Sequence, residues 1–128
     1  MARVLIVDDE ENQRRTLAIG LRLEGFDVTV AGTAREALDV MREASPQFDL
    51  ALLDLMMPGL NGLELARQIR TLHPGVRVVL SSAYHLSARQ VERADCGAVG
   101  FVPKPYRLAE LSSFLRSKSR PPAAAPAA

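Results

Sequence analysis

The 128-residue chain has no tryptophan, a single cysteine, and only 5% aromatic residues. One cysteine, Cys96, excludes an internal disulfide and fits a reducing compartment. Its side chain reads as a small buried hydrophobe. Net charge is nearly absent: 16 basic residues against 15 acidic ones leave +1. That balance argues against a strongly electrostatic partner such as bulk nucleic acid. Lysine is scarce, and Lys104 and Lys118 are the only two. Long apolar runs are missing too, so nothing approaches membrane-spanning length. The opening Met-Ala-Arg-Val-Leu-Ile-Val is too short for a signal peptide before Asp8 and Asp9 end it. These absences predict a soluble, cytoplasmic protein that touches neither membrane nor nucleic acid directly. With 48% apolar residues the chain can bury one core, and it is too short for two.

What is present centres on Leu50-Ala51-Leu52-Leu53, an apolar run that ends abruptly on Asp54. Leu55-Met56-Met57 and a Pro58-Gly59 break follow. A run this short and this apolar reads as a strand buried on both faces of a parallel sheet. Similar runs predict strands over 4–7, 27–31, 48–53, 76–80 and 99–102. Helices fall between them. The first covers about 11–24 and is stopped by Gly25, with Leu17, Ala18 and Leu21 at helical spacing. Thr33 with Glu36 forms a capping box for the second, whose buried stripe is Ala37, Leu38 and Met41. Asn61 caps the third, with Leu65, Ile69 and Leu72 facing inward, and His73 reads as a surface residue in the turn that ends it. Ser87 with Gln90 opens a short fourth helix through about residue 95. Leu108, Leu111 and Leu115 set the inner face of the fifth. The domain is expected over 1–118, with 119–128 a disordered Pro/Ala tail or the start of a linker.

Strands alternating with helices imply a doubly wound α/β fold, (βα)5, with a five-stranded parallel sheet and right-handed crossovers. Of the two common doubly wound orders, five strands favour 2-1-3-4-5. That order gathers Asp8 and Asp9, Asp54, Ser82 (or Ser81) and Lys104 at the carboxyl edge, where open parallel sheets bind ligands. Three close carboxylates repel by about 4 kcal/mol per pair at 4 Å, so a divalent cation or a lysine must offset them. All-oxygen ligation suits Mg²⁺. A carboxylate left free of the metal can attack phosphorus, and a hydroxyl and an ammonium suit the phosphoryl oxygens.

Taken together, Val-Asp-Asp-Glu at 7–10, Leu-Asp-Leu-Met-Met-Pro-Gly at 53–59, Asn-Gly at 61–62, Ser-Ala at 82–83 and Phe-Val-Pro-Lys-Pro at 101–105 resemble the receiver domain of two-component response regulators. The resemblance covers about residues 2–118. It carries the 2-1-3-4-5 order with it, the flavodoxin-like order of CheY-like proteins, so the order is not an independent deduction. It implies that Asp54 is the phosphoacceptor and that Asp8, Asp9, Asp54 and the Met56 backbone carbonyl hold Mg²⁺, Asp8 partly through water. It also implies that Ser82 is the mobile hydroxyl, Lys104 the phosphoryl-binding cation and Phe101 the aromatic switch. The following Ala83 and the 22-residue spacing to Lys104 favour Ser82 over Ser81. The implied partners are a sensor histidine kinase or phosphotransfer protein and an output partner on the face of the fourth helix, fifth strand and fifth helix. The implied state is a monomer or a phosphorylation-dependent homodimer.

In this family the residues flanking the path of attacking water are Met56 and Tyr84 here, and neither orients water well. Slow self-dephosphorylation is therefore expected. The activity expected is self-directed phosphoryl transfer rather than turnover of a substrate. Two alternatives remain: an unphosphorylated pseudo-receiver, which would lose the acids or the lysine, and an Asp-nucleophile phosphohydrolase. The latter pattern needs a second Asp two residues after the nucleophile, where this chain has Met56, and a cap domain for which there is no length. Flavin binding would need a Ser/Thr/Gly-rich phosphate loop after the first strand, and a DNA-binding output would need a further domain.

Overall fold

A computed structural model describes residues 2–55, 61–83 and 87–119. Five strands and five helices alternate: β1 (Arg3–Val7), α1 (Glu11–Leu23), β2 (Asp27–Ala31), α2 (Ala34–Glu43), β3 (Leu50–Asp54), α3 (Gly62–Leu72), β4 (Arg77–Ser82), α4 (Ala88–Arg93), β5 (Ala98–Pro103) and α5 (Leu108–Ser119). The strands form one sheet in the order β2-β1-β3-β4-β5, parallel throughout. This is the doubly wound arrangement expected from the sequence.

Alternation along each strand explains why the runs are apolar on both faces. Leu5, Val7, Ala51, Leu53, Val78 and Leu80 meet residues of α2 and α3 in one core layer. Val4, Ile6, Leu50, Leu52 and Val79 meet α1 and α5 in the other. Cys96 is buried in the first layer, as expected of a small hydrophobe.

Local signals set the helix ends. Thr33 accepts from the backbone N–H of Glu36, and Asn61 from that of Glu64. Ser87 and Gln90 form the reciprocal box, with both bonds made. The expected return bond from Glu36 is not seen among the described residues, so α2 has only half of its box. Gly25 takes φ +97°, the left-handed conformation that ends α1. Gly62 is required for a different reason: a Cβ there would stand 2.7 Å from the Asp54 carbonyl oxygen, so only glycine lets α3 start against the end of β3.

Several expectations need correction. β3 starts at Leu50, because Phe48 is buried beside the sheet without joining its ladder, and the strand ends on Asp54 itself. β4 reaches Ser82 and β5 spans Ala98–Pro103, both longer than expected, while α4 ends at Arg93. Leu72 is 59% exposed and does not belong to the inner face of α3, while Leu108 is 37% exposed and packs at the edge of the α5 inner face rather than in the core. Leu72 lies in the last turn of α3, and Leu108 opens α5 and lies against Gly20 of α1. His73 is half-buried rather than superficial, with Nδ1 3.3 Å from the Gln47 amide nitrogen. α5 runs one residue past the expected boundary at 118, and residues 120–128 of the expected tail lie outside the described residues. Among the described residues no helix is long and apolar enough to cross a membrane.

Candidate functional site

Asp8 follows β1 and is fixed from four directions. Its backbone N–H donates to the Ala31 carbonyl at 3.2 Å. Arg14 Nη1 donates to its carbonyl at 2.8 Å. Its Oδ1 accepts from the Glu10 N–H at 2.9 Å, and its Oδ2 from Lys104 Nζ at 3.2 Å. Asp9, next in the chain, is exposed. Asp54 ends β3, and its Oδ2 lies 3.5 Å from Lys104 Nζ. Asp8, Asp9 and Asp54 each offer a carboxylate oxygen within 4.8 Å of the others. The fold therefore collects the three predicted acids and the predicted lysine.

Lys104 is placed by its backbone as well as by charge. Its N–H donates to the Ser82 carbonyl at 2.8 Å, which ties the residue after β5 to the end of β4. The Lys104–Pro105 peptide is cis. The ammonium also donates to Gln13 Oε1 at 2.8 Å, its shortest contact.

The two serines separate. Val79 belongs to the α1/α5 layer and Leu80 to the opposite one, so alternation sends Ser81 to the α1/α5 side and Ser82 to the other. Ser81 pairs with Asp54 in the β3–β4 register, and the Leu55 N–H donates to its carbonyl at 2.9 Å. Its Oγ is buried and has no hydrogen-bond partner among the described residues. Ser82 is buried at the strand end, beside Pro103 in register. Phe101 is half-buried and packs on the α2/α3 core layer. The roles expected of Met56 and Tyr84 fall outside the described residues.

Three participants were not anticipated. Gln13, third residue of α1, reaches the lysine; Arg14 steadies the Asp8 backbone; and Tyr106, two residues after Lys104, packs against the α1/α5 core layer near the acids. Burial pushes the Tyr106 phenol up to about 12, and the negative charges of Asp8 and Asp54 act in the same direction. The neighbouring Ser81 hydroxyl pulls the other way, although its geometry falls short of a hydrogen bond. The signal for Tyr106 was its position in a loop whose lysine was already singled out. Gln13 offered none, since a polar residue in the first turn of a helix reads as solvated.

The family model described as the response regulator receiver domain matches residues 4–116. The chain belongs to that family. This receiver domain is 40% identical over 118 residues to the DNA-binding response regulator MtrA of Mycolicibacterium smegmatis, a match covering 92% of this chain and 50% of that protein. It is 37% identical over 118 residues to the response regulator MprA of Mycolicibacterium vanbaalenii, again covering 92% of this chain and 50% of that protein. The receiver domain thus spans about half the length of these curated relatives. Among solved structures, a CheY-like receiver domain from Methanospirillum hungatei superposes with a TM-score of 0.83 at 29% identity, over 93% of this chain and 94% of that one. The response regulator TrrA of Thermotoga maritima, solved in complex with Mg²⁺–BeF, gives 0.79 at 33% identity, over 91% and 98%.

Proposed function

We propose that this receiver domain is a signalling switch in which Asp54 accepts a phosphoryl group from a histidine kinase or phosphotransfer partner. The observation that carries the reading is three carboxylates gathered within 4.8 Å, with one lysine paired to two of them. In the transfer a carboxylate oxygen of Asp54 bonds to phosphorus as the donor's bond to phosphorus breaks, and the donor leaves with the electron pair. Lys104, already beside Asp54, meets the charge on the phosphoryl oxygens. Ser82 supplies a hydroxyl to the same group and Phe101 responds to it; both roles rest on the family resemblance, as does a readout on the α4–β5–α5 face.

The donor set fits Mg²⁺. Three carboxylate oxygens already within 4.8 Å of one another suit a hard, oxygen-ligated cation that keeps several of its waters. Asp9 and Asp54 would hold it directly with the Met56 carbonyl. Asp8, both of whose oxygens are engaged by Glu10 and Lys104, would contribute through water. When bound, the ion neutralises charge on the acids and on the phosphoryl group. The Mg²⁺–BeF complex of TrrA supports this assignment by similarity. MtrA, about twice as long and described as DNA-binding, supports a transcriptional output.

Incubation with Mg²⁺ and acetyl phosphate should add one phosphoryl group, visible by intact mass under acidic conditions. Asp54→Asn should abolish it. Unchanged labelling of that variant would overturn the acceptor assignment.

A further inference from the structure

We infer that Gln13 is a positioning residue for phosphoryl transfer, an uncharged anchor that keeps the Lys104 ammonium at the site while the acids around it change partners. This rests on the reading of Asp54 as acceptor. An ammonium donates three hydrogens, and Lys104 faces three oxygens from three elements: Gln13 Oε1 at 2.8 Å, Asp8 Oδ2 at 3.2 Å and Asp54 Oδ2 at 3.5 Å. Charge alone would make the two acids the stronger partners, yet the neutral amide is nearest.

The three contacts differ in how long they can last. Asp54 is the group that reacts, and its oxygens pass from carboxylate to acyl phosphate. Asp8 belongs to the carboxylate cluster that would draw the cation, so its negative charge would be shared. The Gln13 amide oxygen is a weaker ligand than a carboxylate for a hard cation. It sits on the first turn of α1, beside the Asp8 backbone that Ala31 and Arg14 hold in place. Of the three partners it alone keeps its chemistry from beginning to end. Lysine has a long stem with much rotamer freedom. Without a lasting anchor the ammonium would lose that freedom at the moment of transfer rather than beforehand.

The test uses Gln13→Leu and Gln13→Ala, which both remove the acceptor but differ in bulk. At saturating Mg²⁺, labelling by acetyl phosphate should slow roughly tenfold in each, about 1.4 kcal/mol in barrier. At saturating Mg²⁺, where the acids are shared with the cation, the Lys104 ammonium protons, followed by ¹⁵N-edited NMR, should be protected from solvent exchange in wild type and lose that protection in both variants. A wild-type labelling rate in the variants would overturn the inference. So would slower labelling with the ammonium still protected, or a wild-type ammonium that is never protected. A wild-type protein that takes no phosphoryl group at all would overturn the parent reading and this inference with it, and is read from a separate arm.

Discussion

Lys104 and Asp8, 96 residues apart in the chain, form a 3.2 Å ion pair whose side chains are only 16% and 5% exposed. The same ammonium reaches Asp54 at 3.5 Å. Removing it would leave two shielded carboxylates facing each other. Breaking a fully buried pair costs about 3–5 kcal/mol, and the remaining solvent access lowers that here to about 2 kcal/mol. Lys104→Ala should therefore lose about that much stability in metal-free urea unfolding. It should also gain more from Mg²⁺ than wild type does. Equal midpoints for the two metal-free proteins would contradict this account.

Asp9 is exposed and stands within 4.8 Å of two other acids. Mg²⁺ at a hundredfold excess over its dissociation constant should stabilise wild type by about 2.7 kcal/mol. Asp9→Ala should abolish that gain. Without metal the same variant should be more stable than wild type, because it relieves repulsion. Thermal melts with and without Mg²⁺ read both effects, and a metal-free variant melting below wild type would show that repulsion is not what Asp9 contributes.

Ser81 carries a buried hydroxyl with no partner among the described residues. An unpaired buried hydroxyl keeps its desolvation cost without a compensating bond. Ser81→Ala is thus expected to raise stability by about 1 kcal/mol while the domain still takes its phosphoryl group. A loss of stability would mean that the hydroxyl is paired.

Tyr106 has its phenol raised to about 12 by burial, then by Asp8, and also by Asp54. The unfolded value is about 10, so the folded state holds the proton more tightly. The associated stability is fully present below about pH 10 and is lost as pH rises through about 12. Absorbance at the phenolate band should show a late-titrating tyrosine that Tyr106→Phe removes, and the variant should lose less stability across that window. A wild-type protein in which both tyrosines titrate near pH 10 would refute it.

Much of the fold was legible because each apolar run stops at a residue with a physical reason to stop it. Asp8 and Asp54 end their runs on charge, and Gly25 ends α1 on a positive φ. Helical spacing was less informative at the extremities. It placed Leu72 and Leu108 with their helices but could not say that both would be partly open to solvent. Phe48 misled in the opposite way, since burial without ladder bonds looks like strand in a sequence. The acids and the lysine of the site were legible from charge at strand ends. Gln13 was not, because its importance comes from the lysine that a distant strand end brings to it, and Tyr106 was marked only by its place in the lysine's loop.

The site draws on residues from β1 through the end of β5, and that has a consequence for how the chain comes into being. Synthesis delivers Asp8, Asp9 and Asp54 well before Lys104. Strands β1 and β3 are neighbours and can pair before β5 exists, which brings the acids together while their counter-charge is still unmade. On that order of events, docking of β5 would bring Lys104 to acids already held together. A nascent domain short of the last strand would then be the state in which free Mg²⁺ acts most strongly as a folding aid, since no lysine yet offsets its acids.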